Sequence, residues 1–328
     1  MFKKILLVLI IVSFFSCKKE NNYVYLQGVA FGTPFSIKYK DALHRDMSIS
    51  VDSLIKSVNK SLSTYQKNSD ISKINNGDTT IIVDNKFIEV FKKSQRIYIE
   101  TNGVFDPTIG VLVNAWDFGP EKKTNELDSI KVNELMRQVG FNKVHIKNNK
   151  IIKENKLTYF DFNAVAKGYG IDVIGRFFEA KNIINYMVEV GGEVRARGES
   201  PSGKDWKIGI EKPNFDGSQS VQKVILLHNE SIATSGTYRK FKIDKNGNKY
   251  AHILNAKTGY PAMSNILSAS VISDLDCADV DGYATALVAL GLERSKTFLK
   301  NHKELNAFII YSDANGKLMT FKTDGFDE

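Results

Sequence analysis

The spacing of apolar residues shifts from mainly helical in the first half of the chain to mainly strand-like in the second half. Apolar residues that recur every three or four positions predict helices, whereas alternation or short apolar runs predict strands. The predicted helices cover residues 52–62, 84–100, 132–139, 164–178, 280–290 and 292–301. The predicted strands cover residues 24–26, 35–39, 157–160, 186–190, 206–210, 221–227, 267–272, 307–311 and 318–321. This order favours an α+β fold, which we expect to be a single two-lobed domain with mixed sheets and flanking helices.

The chain begins with a segment typical of an export signal. Two lysines precede an apolar run at residues 5–15, and a serine and Cys17 follow it. The run is about a third too short for a helix that spans a bilayer, but it suits the core of a signal peptide. A small residue before a cysteine at this place resembles a bacterial lipoprotein signal, in which the cysteine is acylated and becomes the new N-terminus. A plain secretory signal with an incidental Cys17 is the alternative.

The lipoprotein interpretation divides the chain into three parts. We expect a signal peptide at residues 1–16, the lipidated Cys17 with a short tether at residues 17–23, and one folded domain at residues 24–328. The expected location is extracytoplasmic, on the periplasmic side, with the lipid anchoring the protein to a membrane.

The composition fits an exported globular protein without disulfides. The chain has two cysteines, so if Cys17 carries lipid, Cys277 has no intramolecular partner. A hydrophobic content of 42% is ample for a large core. The formal charge of +8 falls to +6 once Lys3 and Lys4 leave with the signal, and the excess is spread along the chain. This distribution predicts mild attraction to anionic ligands or lipid headgroups and no nucleic-acid partner.

The segment DFNAVAKGYG at residues 161–170 places charge at the start of a predicted helix. Asp161 and Lys167 flank this start. A helix N-terminus offers unpaired backbone N–H groups and a partial positive charge, and small residues there let a phosphate approach the backbone. An ordinary capping aspartate with a solvated lysine is the alternative.

Asp281 and Thr285 lie four residues apart in a predicted helix, so their side chains share one face. Two hard oxygen ligands one turn apart suit Mg²⁺, which takes few protein ligands and leaves other positions to water or phosphate. A local side-chain hydrogen bond on the helix is the alternative.

His252 is the only one of the five histidines in a motif-like context, the run YAHILNAKTG. Its imidazole could take a proton from an attacking hydroxyl near neutral pH, or it could be merely structural. The histidines share no metal-ligand spacing, so we predict no zinc site.

Three further segments could contact a ligand. A loop bounded by glycine and proline carries Trp116 and Phe118, which can present a flat apolar wall to an aromatic ring or equally well pack a core. Gly191 and Gly192, and the run at residues 234–236, would allow a ligand close to the backbone. None of these segments is a GxGxxG fingerprint or a P-loop.

Together these segments resemble the ApbE-type FAD:protein FMN transferases, a family often found as periplasmic lipoproteins. The matches run from Gly32 to Gly291 in the family's order and cover nearly the whole mature chain. The matching segments are LSTY at residues 62–65, SDISKIN at 69–75, FDP at 105–107, AWDFG at 115–119, DFNAVAKG at 161–168, GG at 191–192, SG at 235–236, HIL at 252–254 and DGYAT at 281–285.

The resemblance implies a site for FAD and Mg²⁺. The implied flavin contacts are Phe31, Tyr65, Ala115, Trp116, Asp117, Asp161, Lys167 and Leu254, with Gly191 and Gly192 close to the ligand. The family usually has methionine where Phe31 stands. Magnesium would be held by the backbone carbonyl of Ala164 with Asp281 and Thr285.

The implied reaction is the Mg²⁺-dependent transfer of FMN from FAD to a threonine or serine hydroxyl of a partner protein, with release of AMP. His252 would accept the proton of the attacking hydroxyl. The implied partners are flavoprotein subunits of extracytoplasmic electron-transport complexes. Two alternatives remain: a Mg²⁺-dependent FAD pyrophosphatase that gives FMN and AMP, and a flavin-binding lipoprotein without chemistry.

Overall fold

The computed structural model of the protein describes residues 22–121, 127–214, 216–238, 241–243 and 249–327. The predicted signal peptide and Cys17 lie outside these residues, so they stay predictions. Within the described ranges, no helix is both long and apolar enough to cross a membrane.

The described residues form eight α-helices and sixteen β-strands, besides two short 3₁₀ helices. The helices are α1 (Ser48–Leu62), α2 (Asp70–Asn75), α3 (Asn85–Glu100), α4 (Gly110–Ala115), α5 (Ser129–Met136), α6 (Asn163–Ala180), α7 (Cys277–Leu290) and α8 (Leu292–Asn301). The strands are β1 (Tyr23–Ala30), β2 (Thr33–Lys40), β3 (Val144–Lys147), β4 (Lys150–Lys153), β5 (Tyr186–Val190), β6 (Glu193–Arg197), β7 (Trp206–Glu211), β8 (Val221–Leu227), β9 (Ser231–Gly236), β10 (Phe241–Ile243), β11 (Lys249–Ala251), β12 (Leu254–Asn255), β13 (Tyr260–Pro261), β14 (Ile266–Ser273), β15 (Asn306–Ser312) and β16 (Leu318–Lys322).

Eight of these strands form one sheet in the order β1-β2-β5-β6-β9-β14-β15-β16. Helix α6 packs on β5 and β6, helix α7 packs on β9 and β14, and the two helices contact each other. Because alternate strand residues face opposite sides, Tyr186 and Val188 join the large core under the helices, whereas Met187 joins a smaller core that β7 and β8 cover. The predicted α+β class is confirmed. The strands of the described sheets pair antiparallel, where the sequence predicted mixed sheets, and two-residue turns join β1 to β2 and β5 to β6.

Helix α7 lies in the interior. Almost every residue of its sequence CADVDGYATALVAL is buried, which is why the helix shows no polar face. Small residues allow α6 to approach it closely, since a Cβ atom at Gly168 would lie 2.4 Å from the Cys277 carbonyl oxygen. The first turns of α6 therefore meet the first half of α7.

Most predicted elements are confirmed, within a few residues at their ends. The six predicted helices correspond to α1, α3, α5, α6, α7 and α8, and eight of the nine predicted strands correspond to β1, β2, β5, β7, β8, β14, β15 and β16. Two strands of the central sheet, β6 and β9, were not predicted.

The strand predicted at residues 157–160 is wrong. The Phe160 N–H donates to Asn75 Oδ1 at 2.8 Å, and Asn75 Nδ2 donates to the Phe160 carbonyl at 2.9 Å. A side-chain amide thus satisfies the backbone groups that a neighbouring strand would have used. The only bridge recorded for this described segment joins Tyr159 to Ile109.

Candidate active site

One cavity of about 1590 Å³ brings together most of the residues that the sequence singled out. It lies where the first turns of α6, the middle of α7 and the turn between β5 and β6 meet. The predicted site residues that line it are Phe31, Tyr65, Asp161, Ala164, Lys167, Gly191, Gly192, His252, Leu254, Asp281 and Thr285. Residues from distant parts of the chain therefore face one space.

The start of α6 forms one wall of this cavity. Phe162 occupies the N-cap position and provides no side-chain cap. Asp161 Oδ1 accepts a hydrogen bond from the Asn163 N–H at 2.8 Å. The aspartate thus caps the first turn of the helix, as the alternative interpretation of this segment expected. Its carboxylate also faces Tyr65, which is 60% exposed. Burial of part of the phenol and the charge of Asp161 raise the pKa of Tyr65.

Asp281 connects α7 to the start of α6. The Gly168 N–H donates to Asp281 Oδ2 at 3.0 Å. In a regular helix, residue 168 is the hydrogen-bond partner of the Ala164 carbonyl, so this contact brings the carboxylate next to the turn that carries Ala164. Asp281 is only 6% exposed. Its burial, together with the negative charge of Glu193, raises the pKa of Asp281 well above the ordinary aspartate value.

Thr285 lies one turn after Asp281 on α7, and its Oγ1 is 3.4 Å from Ser235 Oγ at the end of β9. Within the described residues, no hydrogen bond joins the side chains of Asp281 and Thr285. Both residues line the cavity, as a shared ligand would require.

The residues present fit the implied magnesium ion. Ala164, Asp281 and Thr285 offer a backbone carbonyl, a carboxylate and a hydroxyl, all oxygen ligands of the kind Mg²⁺ prefers. Among the described residues, no group of three or more His, Cys, Asp or Glu could hold a metal ion, so a cation site here needs such neutral oxygens. A bound cation would also favour the charged form of the buried Asp281.

Glu193 is a site residue that the sequence pattern did not indicate. It begins β6, lines the cavity and is buried, and its Oε2 lies 2.6 Å from Lys167 Nζ. Burial alone would lower the pKa of Lys167, but the carboxylates of Glu193 and Asp281 raise it. The structure pairs the Lys167 ammonium with a carboxylate, so it is not the solvated charge of the alternative interpretation. The ligand contact that the resemblance implies for Lys167 stays a prediction.

The glycine pair that precedes Glu193 has a conformational role. Gly191 and Gly192 form a two-residue turn between β5 and β6, with φ values of 61° and 104°. Such turns need left-handed backbone at both positions, which glycine adopts without steric cost. A Cβ atom at Gly191 would also lie 2.6 Å from Thr33 Oγ1 of the neighbouring hairpin. An acidic residue directly after this pair was the signal that could have identified Glu193.

Phe31 lies in that neighbouring hairpin, between β1 and β2, with a left-handed φ of 52°. Its ring packs against helix α6, because a Cβ atom at Gly170 would lie 2.3 Å from the ring. Leu254, in β12, lines the cavity and is buried. These two side chains supply apolar surface to the cavity.

The loop at residues 115–117 does not line the cavity, in contrast to the implied flavin contacts. Trp116 Nε1 donates to the Gly259 carbonyl at 2.9 Å, and its ring centroid lies 5.5 Å from that of Tyr250. Asp117 has a left-handed φ of 59° and pairs with Lys242. Among the described residues of this loop, it is Phe118 that lines the cavity.

His252 lies between β11 and β12 and lines the cavity. Its ring centroid is 6.2 Å from that of Phe118, in an edge-to-face arrangement. The histidine and the phenylalanine thus lie together in the lining of the cavity.

Comparison with known proteins gives the same family that the motifs resemble. The model of the ApbE family matches residues 31–309. The FAD:protein FMN transferase of Haemophilus influenzae is 34% identical over 95% of this chain and 93% of its own length. That of Vibrio cholerae is also 34% identical, over 95% of this chain and 92% of its own length.

Solved structures of flavin transferases share the fold. The flavin transferase ApbE from Vibrio cholerae superposes with a TM-score of 0.84 and 32% identity, over 93% of this chain and 98% of that one. The apo form of the flavinyl transferase ApbE from Pseudomonas stutzeri gives a TM-score of 0.82 and 26% identity, over 93% of this chain and 96% of that one. The chain belongs to the ApbE family.

Proposed function

We propose that the protein is an FAD:protein FMN transferase, which moves FMN from FAD to a threonine or serine hydroxyl of a partner flavoprotein and releases AMP. The observation that carries this proposal is the meeting of Ala164, Asp281 and Thr285 in one cavity at the start of α6. The curated relatives named above have the same activity in their names. A hydroxyl acceptor on a protein also requires space beyond the FAD itself. The cavity volume of about 1590 Å³ exceeds the roughly 300–1000 Å³ typical of ligand pockets.

The start of α6 would hold the pyrophosphate of FAD. The partial positive charge of a helix N-terminus favours an anion there. Phe31, Tyr65 and Leu254 would contact the flavin, and Phe118 rather than Trp116 would supply the aromatic wall. Lys167 would keep its charge through Glu193 and add positive potential at the α6 side of the site.

Ala164, Asp281 and Thr285 would hold Mg²⁺, which when bound would neutralise charge that develops on the phosphoryl oxygens. Asp281 must be ionised to do so, and the Gly168 N–H helps to hold its carboxylate in place. His252 would accept the proton of the attacking hydroxyl at a ring nitrogen. The hydroxyl oxygen forms the new bond to the FMN phosphorus, the bond from that phosphorus to AMP breaks, and AMP leaves.

We further propose an extracytoplasmic location, with Cys17 lipidated and the protein anchored to a membrane. Its acceptors would be flavoprotein subunits of extracytoplasmic electron-transport complexes. In the first 17 residues, a basic segment is followed by an apolar run and then by a serine and a cysteine, and this order supports the proposed location and anchor. Intact-mass analysis of the full-length protein from its membrane fraction should show a lipid mass that the Cys17→Ser variant lacks, and an unacylated wild-type protein would contradict the anchor.

The products that form with and without an acceptor test the proposed reaction. The purified protein is incubated with FAD and Mg²⁺, with or without a candidate acceptor flavoprotein domain, and the nucleotides are separated by chromatography. We expect AMP to form in step with consumption of the acceptor and little free FMN to accumulate. Equal amounts of free FMN and AMP, independent of the acceptor, would identify a pyrophosphatase, and unchanged FAD would indicate a flavin-binding protein.

A further inference from the structure

A carboxylate that takes no part in the proposed reaction joins the two helices of the cation site. Helix α6 carries Ala164, and helix α7 carries Asp281 and Thr285. Asp172 lies on α6 and is fully buried, with 0% exposure. The Cys277 N–H donates to Asp172 Oδ1 at 2.9 Å, and the Ala278 N–H donates to Asp172 Oδ2 at 2.8 Å. Asp172 therefore caps the N-terminus of α7 from the neighbouring helix.

Helix α7 depends on this cap because its own N-cap residue does not provide one. Asp276 occupies the N-cap position without a side-chain hydrogen bond to the helix. Its carboxylate instead accepts hydrogen bonds from Lys93 at 2.8 Å and from Arg176 at 2.7 Å. The first N–H groups of a helix have no partner within the helix, and buried donors need one. Asp172 is the hydrogen-bond acceptor for the N–H groups of Cys277 and Ala278.

Arg195 fixes the orientation of the Asp172 carboxylate. Its Nη1 donates to Asp172 Oδ1 at 2.9 Å and to Asp276 Oδ1 at 2.8 Å, while its Nε donates to Tyr186 Oη at 2.9 Å. Gly175 leaves space for this arginine, since a Cβ atom there would lie 2.8 Å from Arg195 Cδ. The carboxylate thus has three donors and little freedom to rotate.

The cap also sets the distance between the two halves of the cation site. Asp172 lies one helical turn after Gly168, whose N–H donates to Asp281. Gly168 itself touches the Cys277 carbonyl, so α6 and α7 are in backbone contact at this point. A shift of the α7 N-terminus would therefore move Asp281 and Thr285 relative to Ala164.

We propose that Asp172, held by Arg195, is a positioning residue for the cation site: it does not touch the cation but fixes α7 against α6 so that the ligands of both helices converge. This inference rests on the proposed function, because it takes Ala164, Asp281 and Thr285 as the Mg²⁺ ligands. Residues that orient metal ligands typically change metal affinity by about 10-fold to 100-fold when they are replaced.

The test compares two substitutions in the full-length protein. Asp172→Asn keeps the size of the side chain but replaces one acceptor oxygen with an amide group that cannot accept the second N–H. The matched control is Asp279→Asn. Asp279 lies in the first turn of α7, is 2% exposed, and pairs with Lys93 at 2.7 Å and Arg96 at 2.5 Å. It therefore ties α7 to α3, which carries none of the proposed ligands.

Two measurements that do not depend on catalysis are made on each variant. Isothermal titration calorimetry gives Mg²⁺ affinity in the presence of FAD, and amide hydrogen exchange reports the protection of Cys277 and Ala278. We expect Asp172→Asn to weaken Mg²⁺ binding by about 10-fold or more and to lower the protection of both amides. Asp279→Asn should lower the melting temperature but leave Mg²⁺ affinity within about twofold of the wild type, since its partners lie on α3.

Unchanged Mg²⁺ affinity in Asp172→Asn, or an equal loss in Asp279→Asn, would overturn the positioning role. If Asp172→Asn does not fold, Arg195→Lys keeps the charge but loses the geometry of the guanidinium. It should weaken Mg²⁺ binding less than tenfold but measurably, and an unchanged affinity would again overturn the inference. A wild-type protein that binds no Mg²⁺ would instead remove the proposed cation site and this inference with it.

Discussion

Lys167 and Glu193 form an ion pair at the edge of the cation site, with 2.6 Å between Nζ and Oε2, and Glu193 is buried. The negative charge of Glu193 disfavours the ionised form of Asp281, and the positive charge of Lys167 offsets this effect. The lysine therefore allows two acidic groups to lie close together at the cavity wall. This explains how a cavity that is proposed to bind a polyanion can carry buried carboxylates.

The contributions of Lys167 and Glu193 to the stability of the protein should be coupled. Replacing Lys167 with Met leaves Glu193 buried without its partner, and replacing Glu193 with Gln leaves the ammonium without its carboxylate. Each single change should lower the free energy of unfolding, and the double variant should lose less than the two single losses combined. We expect a coupling energy of about 1–3 kcal/mol. Urea unfolding of the four proteins measures it, and purely additive losses would show that the pair is not coupled.

Asp281 should be essential because it is the only ionisable member of the proposed ligand set. We expect Asp281→Asn to lower the rate of FMN transfer by about 100-fold or more, since loss of one charge-stabilising group in a phosphoryl-transfer site has effects of this order. The rate is measured over a series of Mg²⁺ concentrations. Asp274→Asn is the control, because this exposed aspartate precedes α7 and does not line the cavity. A fully active Asp281→Asn with unchanged Mg²⁺ dependence would refute the ligand assignment.

His252 should affect the rate of transfer but not the binding of FAD. Its ring contacts Phe118 at the wall of the cavity, and loss of a general base typically slows a reaction by about 10²-fold to 10⁴-fold. Single-turnover transfer and FAD binding, measured by fluorescence, separate the two effects in His252→Ala. His145→Ala, an exposed change on β3, is the control. Equal turnover in both variants would exclude His252 as the proton acceptor.

The stability of the fold should decrease in acid, and Asp276 should account for part of this. Burial alone would raise the pKa of Asp276, but its hydrogen bonds and ion pairs with Lys93, Arg176 and Arg195 hold the pKa below the ordinary value. A carboxyl group whose pKa is lowered by folding stabilises the protein above the unfolded value of about 3.9, and this contribution is lost as the pH falls. The free energy of unfolding should therefore decline from about pH 5 downwards.

The comparison of two variants isolates this contribution. Asp276→Asn should be less stable than the wild type at neutral pH and should show a flatter decline in acid. Asp52→Asn should leave the profile nearly unchanged, because its pair with Lys56 is exposed on α1 and such pairs contribute little. A profile of Asp276→Asn parallel to that of the wild type would contradict the assignment.

Periodic helices were predictable, but strands with mixed patterns were not. The helix predicted at residues 292–301 has the same ends as α8, because its apolar spacing and the preceding glycine mark it clearly. Strand β6 was missed because Glu193 and Arg195 interrupt its apolar pattern. Both charges are buried against partners on α6, which sequence spacing cannot show. Because a strand that carries buried charges resembles a loop in its composition, the sequence pattern did not indicate β6.

The site was predictable from its motifs only in part. The four-residue spacing alone predicts that Asp281 and Thr285 share a helix face. The flavin contact of Trp116 was implied only by the family resemblance, and the structure places the Trp116 ring against Tyr250. Asp172 could not be identified at all, because it caps Cys277 across a separation of 105 residues. Contacts of this kind depend on how two helices pack, and no local pattern encodes that.

Intact-mass spectrometry of an acceptor protein can show whether the protein transfers FMN. The full-length protein is incubated with FAD, Mg²⁺ and a candidate acceptor flavoprotein domain, and the mass of the acceptor is then measured. We expect the acceptor to gain one FMN group, and we expect EDTA and a Thr→Ala change at the acceptor hydroxyl both to abolish this gain. An acceptor of unchanged mass, while FAD is converted to free FMN and AMP, would contradict the proposed transfer.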